Sequence, residues 1–215
     1  MFCHGTAGPA VCAGHVTIPI PEIEVSKYQH DVPDPRQYHN LTLIGFMGAG
    51  KSTVASMAAG LLRFQVVDTD RVIEERAGCR ISEIFEKEGE GAFREREAAL
   101  VSELESVKDR VIATGGGLPM NPANLASLKR HSFVVCLWAS PETIYQRVRS
   151  QGHRPLLQTP DPLASIRELL TQRAPVYRQA DLLVGVDFRA PLETARTLVT
   201  GFRQARSSAL SHVVP

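Results

Sequence analysis

Leu41-Thr42-Leu43-Ile44-Gly45-Phe46-Met47-Gly48-Ala49-Gly50-Lys51-Ser52-Thr53 decides how this chain is read. The first four residues are an apolar run of strand length. From Gly45 the chain fills the pattern G-x-x-x-x-G-K-[ST], and a helical stretch over Lys51 to Arg63 follows. Glycines at these positions let the backbone turn several N–H groups inward, and the start of the helix adds its positive dipole end. An anion of the phosphate-chain kind fits such a loop. Lys51 is placed to reach the β- and γ-phosphates of a nucleoside triphosphate and Ser52 to ligate Mg²⁺, with Gly48, Ala49, Gly50 and Thr53 completing the nucleotide loop.

Working outward, short β-like runs alternate with helical segments. Gln65-Val66-Val67 reads as a second strand, followed by a helix from about Asp70 to Ala77. Ile81 to Lys87 and Ala92 to Ser106 read as two helices separated by Gly89 and Gly91. Arg110-Val111-Ile112-Ala113 and Phe133 to Trp138 are further apolar runs of strand length, and Asn121-Pro122 opens a helix over Ala123 to Lys129 between them. Pro141 opens a helix to about Arg149, Asp161-Pro162 opens another, Leu182 to Val186 reads as a fifth strand, and Pro191 opens the last helix. Strands separated by helices of this length imply parallel pairing with right-handed crossovers. The expected fold class is α/β, one three-layer domain over about residues 40 to 205.

Composition narrows the function. The 215 residues carry 24 Lys+Arg against 23 Asp+Glu, a formal net charge of +1. That balance removes the case for a nucleic-acid binder relying on a broad basic surface. The longest apolar run, Phe133 to Ala139, is far short of the roughly 20 residues that span a bilayer. Cys3, Cys12, Cys79 and Cys136 form no CxxC pair and suggest no disulfide framework, which fits a reducing, cytoplasmic compartment. Cys136 reads as a small buried hydrophobe.

Residues 1–38 hold Pro9, Pro19, Pro21, Pro33 and Pro35, five of the chain's 14 prolines, and show no helical period. They are expected to form a mostly disordered extension, without the marks of a signal or transit peptide. A start codon set too far upstream and a docking segment for another enzyme both stay open as its origin. Cys3, His4, Cys12 and His15 match no standard zinc spacing. Residues 39–205 are expected to be the working domain and 206–215 a tail.

A phosphate loop alone does not define a reaction. Asp68-Thr69-Asp70 follows the second strand, at the sheet edge where ligands bind in open α/β folds. One carboxylate there can face a metal and the other a substrate hydroxyl; an N-cap role is the alternative. Gly115-Gly116-Gly117 follows the third strand, where glycines permit close backbone approach to a ligand, or simply a flexible turn. Phe93-Arg94 and Gln172-Arg173-Ala174-Pro175 offer guanidiniums able to hold a carboxylate, while Arg154 in Gln151 to Pro160 lies where a loop could close on phosphate. Ordinary solvated surface positions are the alternative for each arginine.

In combination and in order, Gly45 to Thr53, Asp68-Thr69-Asp70, Gly89-Glu90 with Phe93-Arg94 and Glu97, Ala113-Thr114-Gly115-Gly116-Gly117, Arg154-Pro155-Leu156-Leu157 and Arg173-Ala174-Pro175 with Tyr177 resemble the shikimate kinase family. The resemblance implies a P-loop kinase fold of the nucleoside-monophosphate-kinase type, with a five-stranded parallel sheet, a lid and a substrate-binding region. It implies Mg²⁺-dependent transfer of the ATP γ-phosphoryl group to the 3-hydroxyl of shikimate, on the route to chorismate and the aromatic amino acids. It assigns Lys51 to the phosphates, Ser52 and Asp68 to the metal, and Asp70 to the attacking hydroxyl. Arg94 and Arg173 would clamp the substrate carboxylate beside Gly115, Gly116 and Gly117. Glu97 would orient Arg94, with an ordinary surface ion pair as its alternative. Arg154 would be the catalytic lid arginine, and Arg147 would meet adenine, a place that a nearby arginine such as Arg189 could take instead. ATP and shikimate are the expected partners, with no nucleic acid and no membrane, for a cytoplasmic monomer. A gluconate-type kinase and a non-catalytic nucleotide-binding homologue are the rival readings.

Overall fold

The computed structural model describes residues 37–149 and 159–210. Expectations that fall on the N-terminal extension, on Arg154 and the 154–157 run, and on the last five residues therefore lie outside the described residues. Five strands, β1 (Asn40–Ile44), β2 (Gln65–Asp68), β3 (Arg110–Ala113), β4 (Ser132–Trp138) and β5 (Leu182–Gly185), form one sheet in the order β2-β3-β1-β4-β5. Every pairing is parallel, with Leu41 opposite both Val111 and Phe133. β1 and β4 are buried at every position, as expected of strands covered on both faces, and β1 buries the polar Asn40 and Thr42 along with its leucines.

Among the described residues, seven α-helical runs cover the sheet: α1 (Lys51–Leu62), α2 (Thr69–Ala77), α3 (Ile81–Leu104), α4 (Pro122–His131), α5 (Pro141–Val148), α6 (Pro162–Tyr177) and α7 (Pro191–Leu210). Their starts follow the sequence signals. Asn121, Ser140 and Asp161 each accept a hydrogen bond from a first-turn N–H, and a proline follows each cap. The two helices expected around Gly89 and Gly91 are present, joined end to end across a kink within Ile81–Leu104. The run is interrupted only at Gly89, where φ 84 and ψ 169 leave helical space; Gly91 continues the helix. The last helix extends beyond residue 205, to Leu210.

A large apolar cluster lies around β1, β4, α1 and α7, and a smaller one gathers Ile73, Ile84, Phe93, Leu100, Leu104 and Ile112. Neighbours on β3 divide between the two, Val111 and Ala113 in the first and Ile112 in the second, because successive strand residues face opposite ways. A polar knot closes the edge remote from the phosphate loop. The Arg110 N–H donates to Asn40 Oδ1 at 3.0 Å, which fixes the amide so that its Nδ2 donates to Val107 O at 2.8 Å and faces His131 Nδ1 at 3.1 Å. His131 is held below its ordinary pKa, mainly by burial. Among the described residues, no helix is long and apolar enough to cross a membrane.

Candidate active site

The phosphate loop joins β1 to α1 at the C-terminal edge of the sheet. Gly45, at φ +134, packs so closely that a Cβ would stand 2.5 Å from Leu137 O. Gly50, at φ 93, precedes α1 with no side chain to cap it, and the first turn carries no acidic residue. The leading N–H groups of α1 are thus presented to an anion. Lys51 is buried and its Nζ donates to Gly45 O and Phe46 O, both at 2.9 Å, so the ammonium is held at the neck of the loop.

Ser52 Oγ donates to Asp68 Oδ2 at 2.6 Å, while Asp68 Oδ1 accepts from Arg71 N at 3.3 Å. The N-cap reading of Asp68 is therefore realised on Oδ1, while Oδ2 is turned to the Ser52 hydroxyl. A hydroxyl beside one carboxylate suits Mg²⁺, which takes few protein oxygens and completes its shell with phosphate and water. Among the described residues, no group of three or more His, Cys, Asp and Glu forms a cage for a metal.

The residues after β2 and β3 interlock. Thr69, fully buried, accepts the Gly115 N–H on its hydroxyl at 2.9 Å. The Gly115 amide is thus taken up within the protein. Asp70, in the first turn of α2, lies so close that a Cβ on Gly115 would come 2.4 Å from its Oδ1. On Gly117 a Cβ would meet Arg94 Nη1 at 2.8 Å and Nη2 at 3.0 Å. On Gly116 it would meet Met47 N at 3.3 Å, Gly45 O at 3.5 Å and Arg173 Nη1 at 3.7 Å. The triple glycine thus lets Asp70, both guanidiniums and the phosphate loop approach a single stretch of backbone.

Arg94 Nη1 donates to Glu97 Oε2 at 2.7 Å, and its Nε and Nη2 both donate to Glu90 Oε1, at 3.1 and 2.7 Å. Glu97 is buried, which overturns its reading as an ordinary surface pair. Burial pushes its carboxyl pKa up, against the pull of Arg94. Arg94 in turn holds its proton more tightly: burial opposes the charge, but the bonds to Glu97 and Glu90 outweigh it. Arg173 Nη1 donates to Gly116 O at 3.3 Å, and Tyr177 Oη donates to the same carbonyl at 2.8 Å. Burial pushes the Tyr177 pKa up to about 12, so it stays a neutral donor. Arg173 also lies over the Phe46 ring, 5.4 Å from its centroid.

Beyond the loop, a cavity of about 240 Å³ is lined by Thr53, Arg147, Val186, Arg189, Pro191 and Thr194, among others. Arg147 Nη2 donates to Val186 O at 3.0 Å and Nη1 to Gly48 O at 3.3 Å, which ties α5 to both walls. Sequence reasoning had Arg147 and Arg189 but missed Val186, Pro191 and Thr194. It also missed the clamp role of Thr69.

A parallel sheet ordered 2-3-1-4-5, a phosphate loop after its first strand and a carboxylate with two arginines beside it define a P-loop kinase for a small anionic acceptor. The model of the shikimate kinase family matches residues 47–203. A shikimate kinase of Caldanaerobacter subterraneus is 42% identical over 163 residues, covering 76% of this chain and 95% of its own. The solved shikimate kinase from Acinetobacter baumannii in complex with shikimate superposes with TM-score 0.74 at 39% identity, covering 78% of this chain and 94% of that one. A gluconokinase from Sinorhizobium meliloti, TM-score 0.52 at 15% identity over 83% of this chain and all of that one, shares the fold alone. The chain belongs to the shikimate kinase family.

Proposed function

We propose that this chain transfers the γ-phosphoryl group of ATP to the 3-hydroxyl of shikimate, using the residues gathered around Gly115–Gly117. The substrate oxygen attacks the γ-phosphorus in line. The bond to the bridging oxygen breaks, its electron pair leaves with ADP, and the hydroxyl proton passes to the Asp70 carboxylate. Such a loose transfer needs placement and charge neutralisation more than covalent help. Lys51 would neutralise β- and γ-oxygens, and the α1 N–H groups would hold the rest of the chain. Ser52 and Asp68 would hold Mg²⁺, which when bound would supply positive charge against that developing on the transferred phosphate. Arg94 and Arg173 would take the shikimate carboxylate, with Glu97 orienting Arg94. Arg147 and Arg189 would flank adenine. Arg154 lies outside the described residues, and its closing role rests on the family resemblance.

The observation that carries this reading is Gly116, against which the phosphate loop and the Arg173 guanidinium both pack at the same spot. An acceptor whose carboxylate sits on Arg173 therefore stands beside the transferred phosphate, with Asp70 at hand for its hydroxyl. ADP release from Mg-ATP should be strongly stimulated by shikimate and not by gluconate. Asp70→Asn should cut turnover by about 10²–10⁴-fold while ADP binding persists. Unchanged turnover would remove Asp70 from the reaction, and stimulation by gluconate would reassign the acceptor. We also read the chain as a cytoplasmic monomer. Free Cys79 and buried Cys136, whose pKa burial pushes up to about 12, accord with a reducing compartment.

A further inference from the structure

Tyr177, the last residue of α6, is fully buried, yet its hydroxyl reaches the edge of the site. Its Oη donates to Gly116 O at 2.8 Å, and Arg173 Nη1, one turn earlier on the same helix, donates to that oxygen at 3.3 Å. Two donors thus share the two lone pairs of one carbonyl, and the shorter bond is the phenol's. Burial pushes the Tyr177 pKa up to about 12 while the neighbouring Arg173 pulls the other way, so the hydroxyl keeps its proton beside the guanidinium.

The Gly116 carbonyl shares a rigid peptide plane with the Gly117 N–H, so fixing one aims the other. Gly117 sits at φ −94 and ψ −18, and turning that plane by half a revolution would carry its φ into the left-handed region that glycine enters freely. A peptide between two glycines therefore has two orientations open to it. The observed one offers an acceptor to Tyr177 and Arg173. The reversed one would set the Gly117 N–H against a guanidinium, which carries donors alone. Both arginines of the site rest on this peptide: Arg173 bonds its carbonyl, and Arg94 packs on Gly117, where a Cβ would stand 2.8 Å from Nη1.

We propose that Tyr177 is a positioning residue for the acceptor carboxylate: its hydroxyl locks the Gly116–Gly117 peptide and leaves the other N–H groups of Arg173 for the substrate. The inference rests on the reading that Arg94 and Arg173 hold the shikimate carboxylate. The phenol acts through the carbonyl and the guanidinium, not by contact with the substrate. Without it, Arg173 is the one donor left on Gly116 O, and the longer bond must then hold a peptide that glycine leaves free to turn.

The test is a double-mutant cycle on the full chain, read by steady-state kinetics, ADP binding and thermal melting. Tyr177→Phe keeps the ring in the core and removes only the hydroxyl. It should raise the shikimate KM about tenfold, while kcat, ADP affinity and the melting temperature stay close to wild type. In an Arg173→Ala background the same change should raise KM by less than about twofold, because the guanidinium it positions is gone. An unchanged KM in Tyr177→Phe would overturn the proposal. So would a tenfold rise that persists without Arg173, or a fall in kcat and ADP affinity alongside KM, since the hydroxyl would then serve the core in general. If Arg173→Ala alone left the shikimate KM unchanged, the carboxylate would not sit on Arg173. The underlying reading would then fail and take the proposal with it, a result read from that single variant whatever Tyr177→Phe does.

Discussion

Arg94 and Glu97 face each other one helical turn apart at 2.7 Å, and the two ends of the pair differ sharply: the carboxylate is 1% exposed and the guanidinium 36%. Glu97 Oε1 is buried with no hydrogen-bond partner among the described residues. The pair therefore sets a partly exposed cation against a buried carboxylate, at a cost in desolvation.

Removing the exposed partner should hurt more than removing both. Arg94→Met leaves the Glu97 carboxyl buried without its counter-ion and should lower stability by about 1–3 kcal/mol. Adding Glu97→Leu should restore most of that stability in urea denaturation. The shikimate KM should stay raised in both variants. Recovery of KM together with stability would mean that Arg94 serves the fold alone.

Acid–base linkage follows from the same carboxyl. Burial raises Glu97 above its ordinary value of 4.5. A carboxyl raised on folding contributes stability below the unfolded value and loses it as pH climbs through the folded one. The unfolding free energy of the wild type, minus that of Glu97→Gln, should therefore fall as pH rises from about 4.5, with a slope of at most about 1.4 kcal/mol per pH unit. The difference is needed because carboxyls such as Glu103, held down by its hydrogen bond to Arg76, run with the opposite sign. A flat difference would place Glu97 in water.

Two alanines two residues apart should fail in different ways. On Gly117 the added carbon meets the far end of Arg94, which can swing aside. Gly117→Ala should raise the shikimate KM with little change in kcat. On Gly115 it meets Asp70 Oδ1 at 2.4 Å, and moving that carboxylate should lower kcat by about 10²-fold. Steady-state kinetics that gave the same pattern for both would refute the division of labour between the arginine and the aspartate.

The Ser52–Asp68 contact makes a metal prediction. Chelation with EDTA should stop turnover, and Mg²⁺ should restore it. Ser52→Ala removes the hydroxyl and leaves the Asp68 oxygen, so the Mg²⁺ concentration for half-maximal rate should rise about tenfold or more. ADP affinity measured without metal should be unchanged. An unaltered Mg²⁺ requirement would exclude Ser52 as a ligand.

Local signals made much of this legible. Strand, loop and helix follow one another within Leu41 to Arg63, so the phosphate site could be read without knowing the fold. Cap residues followed by proline marked three helix starts correctly for the same reason. Glu97 was harder, because Arg94-Glu95-Arg96-Glu97 reads as a solvated run and only packing reveals which charge turns inward. Gly89 and Gly91 looked equivalent, and the chain breaks its helix at one of them. Thr69 and Gly115, 46 positions apart, meet only because β2 and β3 are neighbours. Val186 and Pro191 carry no motif at all, and their place at the cavity follows from where β5 ends.

The smaller apolar cluster, built on α2, α3 and Ile112, has a consequence for how such enzymes diversify. It carries Arg94 on one of its helices, and it adjoins the main cluster through alternate residues of β3 and through Val101 of α3. Repacking there would move Arg94, while Arg173 and the nucleotide loop are held by the main cluster. New substrate ranges are therefore within reach of changes confined to one corner of the sheet, which is an evolutionary freedom written into the way β3 faces both ways.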